Sequence, residues 1–447
     1  MQTIKDIKRL KELADAKIYS TVNREVMEDT IEHCNTNREL INTIENTINK
    51  SKIYYENDDL DVKPKSWDSK IIITNKRSFE AAGQYKGKKV AVLDFANSHT
   101  PWWAPFSSWA QEESLCRCST LYPCLKTDLN LEKYYWRHRI HYERWLSDIY
   151  WDDDIIYLPD IVVFKTDVSV PEIMDKRNWF NVDIIVAAAP ELFKKVTYNK
   201  QRYEEIMRKR IKRILDVAYK EWVDVLILWA FWCWAFRNPP EIVARLFKEE
   251  LTKYDFEIVD FPIYTNDFWP RNNYAIFRKE ILWEETEDYY NLERFNEIQE
   301  KTHSTVYEEL NTWRKETHWM RFTFPQVEWL GYSTMSKKYA ITWIEEAKEY
   351  LKDKNLRLRL EKLCEILLTH KNKNIEHILW EIDTMKLQSS MTLFLQAEPD
   401  NKIFQQVIDE FYNWQLDHRT LRILWVKIPK SWEIKHTSFK DILKSEC

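Results

Sequence analysis

Over the first sixty residues, apolar side chains recur at helical spacing: Ile4, Ile7, Leu10, Leu13 and Ala14, then Leu40, Ile41, Ile44 and Ile48. This spacing predicts polar, amphipathic helices. From about residue 68 the pattern changes to short apolar runs at 71–73, 89–95, 182–188, 225–228 and 256–259, which read as buried strands. Helical stretches lie between them. One, 203–219, carries Ile206, Ile211, Ile214, Leu215 and Ala218 on one face; its basic residues Arg208, Lys209, Arg210, Lys212 and Arg213 are expected on a solvated face. Another, 239–254, opens with Asn238 as predicted N-cap, Pro239 in the first turn and Glu241 behind it. Alternating strands and helices imply a mainly parallel sheet with helices on both faces. After about 285 the strand runs stop, and 347–351, 356–369, 375–382 and 402–414 predict helices. The acidic group Glu284, Glu285, Glu287 and Asp288 marks an exposed link. The predicted division is 1–67 (helical N-terminal extension), 68–285 (α/β domain), 290–430 (helical domain) and 431–447 (tail).

Composition narrows the function. The 447 residues carry 67 basic and 72 acidic side chains, a net charge of -5, which excludes a chain held mainly by nucleic-acid phosphates. The longest apolar run, Val225 to Phe236, has twelve residues; a membrane-spanning helix needs about 20. The charged N-terminus (Lys5, Asp6, Lys8, Arg9) lacks a signal-peptide pattern, and seven scattered Cys suggest reduced thiols. A cytoplasmic location without membrane partners is expected. Cys116, Cys118 and Cys124 lack the usual zinc spacing, so no metal and no cofactor is expected.

Glycine is almost absent. An ordinary chain of this length holds about 31 glycines; this one has 3, with 22 tryptophans. The tryptophans stand where glycine chemistry is expected: Trp102 and Trp103 after Pro101, Trp229, Trp232 and Trp234 at a strand end, Trp313 in a polar turn, Trp414 after Asn413. Bulky aromatics take positive φ at a cost and block close backbone approach. The pattern leads to the expectation that many of these positions are glycine in the working protein, as when a gene that reads UGA as glycine is translated with UGA as tryptophan; the alternative is a truly tryptophan-rich protein.

With glycine at 102, 103 and 109, the stretch 95–125 becomes a strand end, a Pro-Gly-Gly loop and a helix starting near Gln111 with Glu112 and Glu113 in its first turn. Such a loop admits a sugar or phosphate to the backbone, and paired carboxylates there suit hydroxyl binding and acid/base work. With glycine at 229, 232 and 234, residues 226–240 become a strand, a glycine-rich turn and a helix start, an arrangement whose N–H groups bind anionic oxygens.

These residues resemble the microbial-type poly(ADP-ribose) glycohydrolases, a branch of the macrodomain fold. The resemblance rests on the Trp102-Trp103-Ala104 loop, six residues, then Gln111-Glu112-Glu113, with the strand ending Phe95-Ala96-Asn97 and the continuation through Tyr122-Pro123. It covers about 68–280 and implies a macrodomain-like three-layer α/β/α fold with a mainly parallel central sheet, plus a C-terminal mostly α-helical domain. It implies hydrolysis of ADP-ribose glycosidic linkages, from poly(ADP-ribose) or from ADP-ribosylated protein or nucleic acid. Glu113 would be the acid/base, with Glu112 and Asn97 on the ribose hydroxyls. Gln111, Trp102, Trp103, Trp229, Ala230, Trp232, Cys233, Trp234, Ala235 and Phe236 would line the ligand. Ala104 departs from a strict triple glycine, and the tryptophans as written would fill the ligand space, so the literal chain is expected to be inactive. A non-catalytic ADP-ribose reader is one alternative; an antitoxin-like partner acting through the helical domain is another.

Residues 292–425 resemble a helical family known only as domain of unknown function 1810, through segments 313–320, 324–333, 383–394 and 417–420. There Arg314, Lys315, His318, Lys386, Ser389 and Arg419 are candidates to converge on an anionic ligand.

Overall fold

The computed structural model describes residues 7–65, 69–98, 105–108, 110–143, 152–190, 192, 200–230, 233, 238–264, 273–283, 290–331, 333–371 and 373–424. They form two compact units that part between residues 283 and 290.

The first unit opens with three helices, α1 (Ile7–Asp15), α2 (Tyr19–Thr36) and α3 (Arg38–Lys50). Asn37 caps α3 by accepting from the backbone N–H groups of Glu39 and Leu40. The strands are β1 (Lys52–Tyr54), β2 (Lys70–Thr74), β3 (Val90–Ala96), β4 (Ile155–Val163), β5 (Phe180–Ala188), β6 (Val225–Ile227) and β7 (Ile258–Pro262). They make one sheet in the order β1-β4-β5-β3-β6-β7-β2. From β5 to β2 all neighbours are parallel; β4 and β1 add an antiparallel edge. The central strands are continuous apolar runs because both faces are covered. Met27, Cys34, Leu40 and Ile44 of α2 and α3 share one core with Val92, Ile184 and Val225. On helix Pro240–Leu251, Phe247 meets Phe261 of β7 edge-on at 5.4 Å. The N-terminal helices are thus a layer of this unit, not an appendage to it.

Three local expectations change. The strand read at 256–259 lies at 258–262. Asn238 does not cap the helix that follows: Pro239 takes that position, and the Asn238 amide donates to Pro190 O at 3.2 Å and accepts from Tyr203 OH at 3.0 Å. Arg210 is not solvated. It is buried within helix Lys200–Lys220, with Nε 2.5 Å from Asp153 Oδ1 and a further bond to Ala188 O, because an Arg at the end of β5 ties sheet to helix.

The second unit is helical, with long helices at Glu293–Asn311, Lys354–Thr369, Glu381–Ala397 and Lys402–Tyr412 around a core that includes Phe295, Trp319, Tyr350, Phe394 and Phe404. The stretch read as one helix over 375–382 divides into Ile375–Ile378 and the start of Glu381–Ala397.

The backbone bears directly on the tryptophans. Among the described residues ten non-glycine positions have positive φ, and five of them are Trp: 222, 283, 313, 329 and 414. That share is far above what 22 Trp in 447 residues would supply by chance. Trp222 and Trp313 close helices. Val223 N donates to Ala218 O at 3.1 Å and Arg314 N to Glu309 O at 3.0 Å, the six-to-one bond of a Schellman motif. The residue inside that bond is the one glycine ordinarily occupies.

Candidate active site

The site is built where β3 ends. Helix α4 (Ser78–Ala82) precedes that strand, and helix α5 (Gln111–Cys118) follows it. Gln111 fastens α5 to the strand: its Oε1 accepts from Phe95 N at 2.9 Å, and its Nε2 donates to Leu93 O at 2.7 Å and to Ser78 of α4 at 3.3 Å. The Gln111 amide is therefore spent on the backbone of β3, a positioning role instead of the ligand contact expected of it. Glu112 reaches the same strand end, accepting from Asn97 N at 3.3 Å. Glu112 and Glu113 are 2% and 3% exposed, in the first turn of α5. That placement favours anionic side chains through the N–H groups of the helix start.

A third carboxyl lies with them. Asp94 of β3 is fully buried, and neither of its oxygens has a hydrogen-bond partner among the described residues. Burial first, and then the charge of Glu113, push Asp94 well above the usual carboxylate range. Two carboxyls in one water-poor pocket do not ionise independently. The sequence gives no sign of this, because an Asp inside an apolar strand run carries no motif.

The loop between β3 and α5 is pinned from three sides. Arg117, buried on α5, donates to Pro105 O at 2.9 Å and Ser108 O at 2.8 Å. Asn23 of α2 donates to Ser107 O and Ser108 O, both at 3.1 Å. At the strand end, His138 Nδ1 lies 3.0 Å from Ser98 O, while its Nε2 lies 3.0 Å from Asp154 Oδ2. Burial pushes His138 down to about 4. His138, Asp152 and Asp154 are the one group among the described residues whose ligand atoms gather as a metal site would, within 4.8 Å. Arg137 also pairs with Asp154, and His141 Nδ1 lies 2.6 Å from Asp152 Oδ2, so both carboxylates already have partners. Cys116 and Cys118 are buried and their thiols are pushed up by burial, a setting for packing and not for nucleophiles.

Beside this strand end, the Trp229 indole lies over Phe95, ring centroids 5.4 Å apart and 14° from parallel. Its Nε1 is buried and has no hydrogen-bond partner among the described residues. An indole N–H left this way costs free energy, as expected of a side chain in space meant for something else. Ala230 and Cys233 are buried in the following turn, with Cys233 N donating to Ala230 O at 3.1 Å. Trp102, Trp103, Trp232, Trp234, Ala235 and Phe236 lie outside the described residues.

In the second unit, Lys315, His318 and Lys386 come together. Lys315 and Lys386 both pair with Asp383, at 2.8 and 2.5 Å, and the His318 ring meets Trp380 edge-on at 4.9 Å. The other three candidates do not join them. Arg314 is exposed and pairs with Glu316 at 3.5 Å, Ser389 is bonded to Thr420 at 2.8 Å in the interior, and Arg419 is exposed.

Comparison with known proteins agrees with this architecture. Residues 22–166 match the family model "Microbial-type PARG, catalytic domain", and residues 289–424 match "Protein of unknown function (DUF1810)". The first match begins inside the segment that the sequence reading set apart as an extension, in keeping with the packing of α2 and α3. No curated protein matches the chain. Among solved structures, poly(ADP-ribose) glycohydrolase from Thermomonospora curvata is 21% identical, covering 58% of this chain and 98% of its own, with a TM-score of 0.50. The Deinococcus radiodurans enzyme in complex with ADP-ribose is 26% identical, covering 54% and 97%, with a TM-score of 0.46. This chain is thus similar to the microbial-type PARG catalytic domain over residues 22–166 and to the DUF1810 family over residues 289–424.

Proposed function

We propose that the N-terminal unit is a glycosidase that releases ADP-ribose, from poly(ADP-ribose) or from ADP-ribosylated protein or nucleic acid. The observation that carries this reading is the buried pair Glu112 and Glu113 in the first turn of α5, locked by Gln111 and Glu112 to the backbone where β3 ends. Glu113 protonates the departing ribose oxygen, the C1″–O bond breaks, and an oxocarbenium-like ribose forms. The same carboxylate then takes a proton from water as that water adds to C1″. Glu112 and Asn97 hold the ribose hydroxyls. Asp94, pushed up by burial and by the charge of Glu113, competes with Glu113 for a proton in that pocket. The pinning of 105–108 by Arg117 and Asn23 fixes the segment that leads into α5, and such positioning lowers the barrier beyond what proton transfer supplies.

The test is release of ADP-ribose from poly(ADP-ribosyl)ated protein by the chain with glycine at 102, 103, 229, 232 and 234. Glu113→Gln keeps shape and hydrogen bonding but cannot donate a proton from a neutral acid. Its turnover is expected to fall by about 10²–10⁴-fold, with ADP-ribose binding by calorimetry little changed. Binding without release by the restored chain would turn the reading to a non-catalytic ADP-ribose reader.

A further inference from the structure

Asp152, Asp153 and Asp154 stand in a row before β4, and each carboxylate is met by side chains from a helix. His141 Nδ1 lies 2.6 Å from Asp152 Oδ2, Lys209 and Arg210 pair with Asp153 at 2.8 and 2.5 Å, and Arg137 and His138 both reach Asp154 Oδ2. Two of these side chains go on to the sheet: Arg210 donates to Ala188 O, and His138 Nδ1 lies 3.0 Å from Ser98 O. Both carbonyls lie where β3 and β5 part. Ala96 opposite Ala188 is the last rung of their parallel ladder. A buried carbonyl past that rung has lost its partner strand and needs a donor from elsewhere.

Ser98 O can only accept, and among the described residues His138 is its one partner. Asp154 is better supplied: Arg137 meets the same oxygen as His138, and Glu56 N donates to Oδ1 at 2.7 Å. An N–H of the His138 ring is therefore needed more at Ser98 than at Asp154, which puts a hydrogen on Nδ1. The ring itself is held firmly. A π-helical turn, Leu131–Trp136, runs directly into helix Arg137–Glu143; such turns recur at functional sites. Tyr134, Tyr135 and His138 are all buried, and the Tyr134 ring centroid lies 4.3 Å from that of His138.

We infer that His138 is a positioning residue of the proposed ADP-ribose site: its Nδ1–H donates to Ser98 O, fixes the backbone next to Asn97, and so sets the Asn97 side chain for the ribose hydroxyls. Asn97 lies past the last rung of β3, where the ladder no longer fixes it. Glu112 holds it from the α5 side by accepting from Asn97 N at 3.3 Å, and His138 holds the next residue from the opposite helix. A group that must meet two hydroxyls tolerates little displacement, and a shift of about 1 Å is enough to cost activity. Glu113 is outside this control, because Gln111 fastens α5 to β3 on its own.

The test compares two amides at position 138 in the full chain with glycine at 102, 103, 229, 232 and 234. An Asn side chain places its N–H where Nδ1 stands, whereas Gln reaches to where Nε2 stands. Both lose the ring packing against Tyr134, so the difference between them isolates the bond to Ser98. His138→Gln is expected to raise KM for poly(ADP-ribosyl)ated protein about tenfold with kcat little changed, the mark of lost binding with the acid/base intact. His138→Asn is expected to recover most of that loss. Amide hydrogen exchange at Asn97 is expected to quicken about tenfold in the Gln variant and little in the Asn variant. Equal KM and equal exchange in the two variants, a loss confined to kcat, or rescue by Gln in place of Asn would overturn the proposal. The role rests on the glycosidase reading, whose failure shows separately as no release by the parent with His138; the exchange measurement then decides the hold on Ser98 without turnover.

Discussion

Replacing Trp222 by glycine is expected to stabilise the N-terminal unit. Trp222 ends helix Lys200–Lys220 at φ +57° and is 83% exposed. A side chain in left-handed backbone costs about 1–2 kcal/mol. Glycine loses more chain entropy on folding, which returns about 0.5–1 kcal/mol of that gain. The indole contributes little to offset the rest. Only about a sixth of its surface is covered, and a denatured chain already buries roughly 10–40% of its apolar surface. The net gain is about 0.5–1 kcal/mol. Trp222→Ala is the control: it removes the indole but keeps the Cβ, so it is expected to gain little. The assay is urea unfolding followed by far-ultraviolet circular dichroism, reading the transition of the N-terminal unit, because the many tryptophans make fluorescence unspecific. A loss of stability in Trp222→Gly, or an equal gain in Trp222→Ala, would refute the argument that the backbone there demands glycine.

Asp94→Asn tests the buried carboxyl by pH. In the unfolded chain Asp94 ionises near 4, whereas in the folded chain it keeps its proton to higher pH. The folded state therefore binds more protons above pH 4, and this residue's contribution to stability falls as pH rises through that window. The Asn variant is expected to gain on the parent increasingly above pH 4; parallel pH–stability profiles would contradict it. Arg117→Met leaves the Pro105 carbonyl without its buried donor and the Ser108 carbonyl with Asn23 alone. An orphaned group costs about 1–3 kcal/mol, so faster amide hydrogen exchange at 106–108 and a fall in turnover are expected; unchanged exchange would show that Asn23 suffices.

The parallel core of the sheet was legible because β3, β5 and β6 are mainly apolar runs, as burial on both faces requires, broken by Asp94 in β3 and by Asn181 and Asp183 in β5. The antiparallel edge was not. β4 was not among the predicted runs; Pro159 and Asp160 interrupt it and form an irregularity between Leu158 and Ile161, with Asp160 at φ +57°. β1 is three residues long, too short for any period. The Gln111-Glu112-Glu113 triplet announced helix α5, since its spacing from the loop is local in sequence. The residues that fix the site, Asn23, Asp94, Arg117 and His138, are ordinary in sequence. Long-range contacts alone bring them together, as when Asn23 meets Ser107 across 84 positions. Trp222, Trp283 and Trp329 likewise became glycine-like only when their φ values were known.

The measurement closest to the central claim compares ADP-ribose release by the chain as written with release by the chain carrying glycine at 102, 103, 229, 232 and 234. Release by the restored chain alone is expected, because the Trp229 ring already fills the space over Phe95 where β3 ends. Equal release by both chains would contradict the account of the tryptophans, and absence of release from both would contradict the assignment of Glu113 and the strand end beside it as a glycosidase site.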